Sequence, residues 1–118
     1  MKENPALEKS FAFALRVVRL YKYLCEEKSE QVLSKSALVA GTNVGRHVKA
    51  AAASGASSPA FAAEMAAALT KAAETEYWLE LLRAADYLEE KPFVSISADC
   101  RELIGILTAI VETSKKGD

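Results

Sequence analysis

Apolar residues recur along the first quarter of the chain at helical intervals. Leu7, Phe11, Ala14, Val18, Tyr21 and Cys25 are spaced by four, three, four, three and four residues, which puts them on one stripe of a helix packed in a bundle. A second row, Phe13, Val17, Leu20 and Leu24, keeps the same rhythm on an adjacent face. One neighbour cannot cover both rows, so the helix predicted over Leu7–Cys25 is expected to meet other subunits through Phe13, Val17, Leu20 and Leu24 as well as its own core.

The charged run Glu26 to Glu30 follows, with Ser29 as the expected cap of a second helix spanning about Glu30 to Ala53. Its apolar row is Leu33, Ala37, Ala40, Val44 and Val48, beside a row of Val32, Ser36, Val39, Asn43 and Arg46 that turns polar halfway. The break at Ser54-Gly55-Ala56-Ser57-Ser58-Pro59 supplies Gly55 for a C-terminal cap, Ser58 for an N-cap and Pro59 for the first helical position. Phe61, Met65, Ala68, Ala72, Thr75, Leu79 and Leu82 then mark a third helix ending near Asp86, expected to be the longest. After Leu88-Glu89-Glu90-Lys91-Pro92, the row Phe93, Ile96, Cys100, Leu103, Leu107 and Ile110 defines a fourth. Gly105 lies inside that helix, either against a close neighbour or on open surface. Four helices with short connections and no strand signal predict an all-α, antiparallel up-down-up-down four-helix bundle, one domain over residues 1–118.

The 118 residues suffice for one core. The 51% hydrophobic content overstates it, because 22 of those residues are alanines, which bury little area but let helices approach closely. Charge is nearly balanced at −1, yet it is unevenly distributed. Residues 1–58 carry nine Lys/Arg against five Asp/Glu, and residues 59–118 carry six against eleven. Cys25 and Cys100 have no Cys-x-x-Cys spacing and no secretory signal ahead of them, which points to a reducing cytoplasm. No uninterrupted apolar stretch is long enough to cross a membrane.

Several constellations bear on chemistry. Glu74, Glu76 and Glu80 raise a carboxylate metal centre, but such centres draw ligands from facing helices and use Glu-x-x-His pairs. This chain has one histidine, His47, with Val44 three residues before it. A solvated acidic face with one or two ion pairs is expected instead, and no metal or cofactor. Arg46, His47 and Lys49, with Lys35 earlier on the same helix and Arg16 and Arg19 on the first, are the candidate nucleic-acid contacts; with no stacking aromatic close in sequence, a solvated or ion-paired face outweighs that reading. Tyr77 and Trp78 point about 100° apart, so one is expected in the core and the other at a subunit interface. Cys25 and Cys100 fall at the same end of such a bundle and are candidates for neighbours. No Gly-x-Ser-x-Gly elbow, catalytic cysteine arrangement or phosphate loop is present, so no catalytic residue is assigned and the chain does not read as an enzyme.

Three blocks carry a resemblance. They are Leu33-Ser34-Lys35-Ser36 through Gly41-Thr42-Asn43-Val44-Gly45, then Ala68 through Leu82 with its Glu74-Thr75-Glu76-Tyr77-Trp78-Leu79-Glu80-Leu81-Leu82 core, then Asp99-Cys100-Arg101-Glu102-Leu103 through Ile106-Leu107. In order and spacing the chain resembles a bacterial four-helix-bundle family found in intervening sequences of 23S rRNA genes and related to the accessory protein of diversity-generating retroelements. The resemblance implies rings of five identical subunits. It also implies, for the retroelement relatives, a strongly basic accessory subunit serving a reverse transcriptase and its RNA, a charge this chain does not share. The expected protein is therefore a cytoplasmic, non-enzymatic homo-oligomer acting as scaffold or accessory subunit, with RNA or DNA binding as the alternative.

Overall fold

The computed structural model describes residues 4–116, which form α1 (Pro5–Glu27), α2 (Leu33–Ser54), α3 (Pro59–Ala84) and α4 (Glu90–Lys116). Connections of four or five residues turn each helix back along the last, and the bundle measures 47 × 24 × 21 Å. Around it, α1 packs on α2, α2 on α3 and α3 on α4, and α4 closes more thinly on α1. No strand occurs among the described residues. The longest helix is α4, not α3, by one residue.

Local chemistry sets the helix ends. Asn4 Oδ1 accepts the Leu7 N–H at 3.1 Å and Ser58 Oγ accepts the Phe61 N–H at 3.1 Å, each just ahead of a proline at the first helical position. Gly55, at φ 87°, ends α2 in a backbone shape that a side chain would strain. The start of α2 differs from expectation. Ser29 does not cap it; at φ 53° it is the residue on which the chain reverses. The cap is Glu30, whose carboxylate accepts the N–H groups of Val32 (3.0 Å), Leu33 (2.9 Å) and Ser34 (2.7 Å). Ser34 Oγ returns a bond to the Glu30 carbonyl at 2.8 Å. A glutamate reaches three orphan donors where a serine reaches one, and it lies buried against them.

The predicted rows of α2, α3 and α4 form the core. Ala37, Val44 and Val48, then Met65, Ala68, Ala72, Leu79 and Leu82, then Ile96, Cys100, Leu103 and Leu107 are all buried. In α1 the rows exchange roles. Phe13, Val17 and Leu24 are buried within the chain and Leu20 packs partly against the core, so the face expected to meet other subunits is used up internally. The row expected inside lies half or wholly outside it, with Phe11 72% exposed. The cause is the α1–α2 crossing. A Cβ at Gly41 would stand 2.8 Å from Val17 Cγ2, and one at Gly45 would stand 3.3 Å from the Ser10 carbonyl oxygen. This Gly-x-x-x-Gly spacing draws the Ser10–Val17 side of α1 onto α2 and turns Phe11 to solvent. Gly105, by contrast, has nothing within 4 Å of the point where a Cβ would stand and is an open-surface glycine.

Candidate interaction surfaces

The six candidate nucleic-acid contacts do not converge. Arg16 is held on the α1–α4 seam, donating to Asp99 Oδ2 at 2.7 Å and Ser95 Oγ at 3.1 Å. About two turns earlier on α1, Lys9 pairs with Glu102 at 2.6 Å. Arg46 Nε donates to Asn43 Oδ1 at 2.8 Å, and its Nη2 lies 3.3 Å from His47 Nε2. A guanidinium can only donate, so Nε2 accepts and the Nδ1–H of His47 points to Glu64 Oε1, 2.7 Å away on α3. His47 is thus a half-buried strut between α2 and α3 rather than an exposed phosphate ligand. Arg19, Lys35 and Lys49 are exposed and make no side-chain hydrogen bond among the described residues.

Lys35 nonetheless has company that linear inspection missed. It lines a groove of about 510 Å³ between α2 and α3, with Val32, Val39, Lys71, Glu74 and Trp78 among its walls. The signal was present in α3: Lys71, Glu74 and Trp78 are separated by three and four residues and so share one stripe. Val32 is 75% exposed on this groove. A second depression of about 880 Å³ lies where the start of α3 meets the end of α4, between Phe61, Ala66, Ile110 and Lys115.

The acidic residues of α3 are a solvated face. Glu74 pairs with Lys71 at 3.1 Å, Glu76 with Arg101 of α4 at 3.3 Å, and Glu80 is exposed. Among the described residues no group of three His, Cys, Asp or Glu side chains is placed to hold a metal ion, and no helix is long and apolar enough to cross a membrane. Tyr77 is exposed and Trp78 packs partly against the core, their rings meeting edge to face at 5.0 Å. Both cysteines are free. Cys100 is sealed in mid-bundle, its Sγ 3.4 Å from the Ala72 carbonyl, and burial followed by the nearby Glu76 charge pushes its thiol up to about 12. Arg16 reaches Asp99 and Lys9 reaches Glu102, so α1 and α4 run antiparallel and Cys25 lies about ten residues, or about 15 Å, along the bundle axis from Cys100. The two thiols are not neighbours.

What these elements define is a helical bundle whose polar clusters serve as struts and caps, with its unusual features on the outside. The chain belongs to the 23S rRNA-intervening sequence protein family, whose profile matches residues 2–109. It is similar to a crystal structure of a protein of unknown function from the S23 ribosomal protein family of Bacteroides thetaiotaomicron VPI-5482, with 39% identity and a TM-score of 0.88 over 95% of this chain and 99% of that one. No curated protein matches it.

Proposed function

We infer that this chain is a non-enzymatic, self-assembling scaffold or accessory subunit of the cytoplasm. The observation that carries the reading is surplus apolar surface on a molecule whose core is already filled. Phe11 and Val32 are 72% and 75% exposed, and Leu15, Val39, Tyr77 and Val94 are each more than two-fifths exposed. Side chains of this size are favourable to bury at about 25 cal/mol per Å² of apolar area, and their spread over α1, α2, α3 and α4 suits contact with more than one neighbour. Five copies, the count implied by family resemblance, is the assembly proposed. Light scattering tests it: the expected mass is a multiple of 12.7 kDa, near five, and a single species of 12.7 kDa at micromolar concentration overturns the reading.

The α2–α3 groove favours a second reading, contact with RNA or DNA, alone or beside a reverse-transcriptase-like protein. There Trp78, partly packed against the core, lines the same groove as Lys35 and Lys71, an aromatic ring in company with two cations. Such binding would weaken steeply as salt rises, and absence of binding at low ionic strength would eliminate it.

A further inference from the structure

We propose that the depression between the first turns of α3 and the last turns of α4 is a binding site for a single-chain alkyl carboxylate. At about 880 Å³ it falls within the range of small-molecule sites, about 300–1,000 Å³. Its floor continues the core. Phe61 opens the apolar row of α3 and Ile110 closes that of α4; both pack on the core yet are only partly covered, as is Val111 beside them. The space above them is open because the walls are alanines. Ala62 and Ala66 on α3 and Ala109 on α4 each carry a single methyl where a longer side chain would fill the trough. Apolar surface left wet in this way is favourable to cover with hydrocarbon. The site lies within one copy of the chain, so it stands independently of self-association.

The rim selects the head group. Among the described lining residues Lys115 is the one charged side chain; it is exposed, and no carboxylate lines the depression with it. Its ammonium has no ion-pair partner among the described residues. Thr113 and Ser114, just before it on α4, line the same depression, as does Ser57 of the α2–α3 connection. Elsewhere in the bundle helical hydroxyls are spent on the carbonyl one turn back, Thr42 on Leu38 at 2.7 Å, Ser54 on Ala50 at 2.8 Å and Thr75 on Lys71 at 2.7 Å, whereas Thr113 and Ser114 make no such bond among the described residues. A carboxylate accepts from hydroxyls and an ammonium together. A cationic head of the same size would meet a like charge at Lys115.

Dodecanoate, kept below its micelle concentration, tests the site by isothermal titration calorimetry on the whole chain, with saturable binding expected. Ala66→Phe fills the trough from an exposed position, so that the fold is kept as circular dichroism would verify, and is expected to weaken binding by about tenfold or more. Ala109→Phe, also exposed and on the opposite wall, is expected to do the same and carries the test should the first variant fail to fold. Lys115→Glu is expected to weaken dodecanoate by about threefold to fivefold. Dodecyltrimethylammonium is expected to bind the wild type more weakly than dodecanoate does, with Lys115→Glu reversing that order. Absence of saturable dodecanoate binding overturns the proposal, as does binding that the folded alanine variants leave unchanged or equal affinity for the two head groups. Capture of the chain by anionic phospholipid vesicles without uptake of free dodecanoate overturns it as well, in favour of a lipid surface.

Discussion

Gly41 and Gly105 are both helical, both free of positive φ, and differ only in what surrounds them, so the same substitution should have opposite effects. Replacing a helix-interior glycine with alanine is worth about 1 kcal/mol of stabilisation where the added methyl meets nothing. That condition holds at Gly105, and Gly105→Ala is expected to raise stability by about that amount. At Gly41 the added Cβ stands 2.8 and 3.0 Å from the two γ-methyls of Val17. Val17 is fully buried and branched at Cβ, so it has no open rotamer into which to move and α1 itself must shift. Overpacking of this kind costs about 1–3 kcal/mol, which outweighs the propensity gain and leaves Gly41→Ala destabilised by about 1 kcal/mol. Urea unfolding followed by far-UV circular dichroism, at one fixed protein concentration, measures both. The decisive background is Val17→Ala, itself destabilising through its cavity, in which Gly41→Ala should become stabilising, with a coupling energy of about 1–3 kcal/mol. Equal stabilisation by Gly41→Ala and Gly105→Ala in the wild type would refute the account of the α1–α2 seam.

Glu30 caps α2 through three backbone N–H groups, so Glu30→Ala should cost about 2 kcal/mol and Glu30→Gln somewhat less. Burial acts to raise its carboxyl, but the N–H groups of Leu33, Ser34 and Val32 outweigh it and hold the group below the usual 4.5. A lowered folded value means that the stabilisation is full above that pH and is lost as pH falls through the folded value; the stability gap between wild type and Glu30→Gln should therefore be flat from pH 7 to about 5 and narrow below 4.5. Ser97 Oγ is buried with no hydrogen-bond partner among the described residues, so Ser97→Ala should be neutral or stabilise by about 1 kcal/mol in the same unfolding assay. In the native protein at pH 8 a thiol reagent should leave Cys100 unmodified and label it only after unfolding, as intact-mass measurement would show.

The number, order and approximate ends of the helices were legible because proline, serine and glycine sit where helix chemistry wants them, and because three of the four apolar rows are the rows the core uses. Helix α1 was ambiguous for a physical reason. Its two rows have equal periodicity, and what selects Phe13–Val17–Leu24 is the absence of side chains at Gly41 and Gly45, some thirty residues away on another element. The cap of α2 was misplaced by one residue because a serine is the commoner cap, whereas this turn bends back far enough for a glutamate to reach three donors. Among the basic residues, the sequence cannot show that Arg16 meets Asp99, that His47 meets Glu64 or that Trp78 stands beside Lys35, since each pair spans two helices. The separation of Lys71, Glu74 and Trp78 along α3 was the one readable clue to the groove.

The bundle has one edge that cannot change width and one that can. Where α1 crosses α2 the helices touch through backbone and a branched side chain, leaving no slack. Where α1 meets α4, ion pairs made by a lysine and an arginine, half open to water, span the seam with jointed arms. A neighbour that wedged into the molecule would therefore be accommodated by tilting α4 while α1 and α2 travelled as one rigid hairpin, which makes that hairpin the frame of reference and α4 the compliant stave.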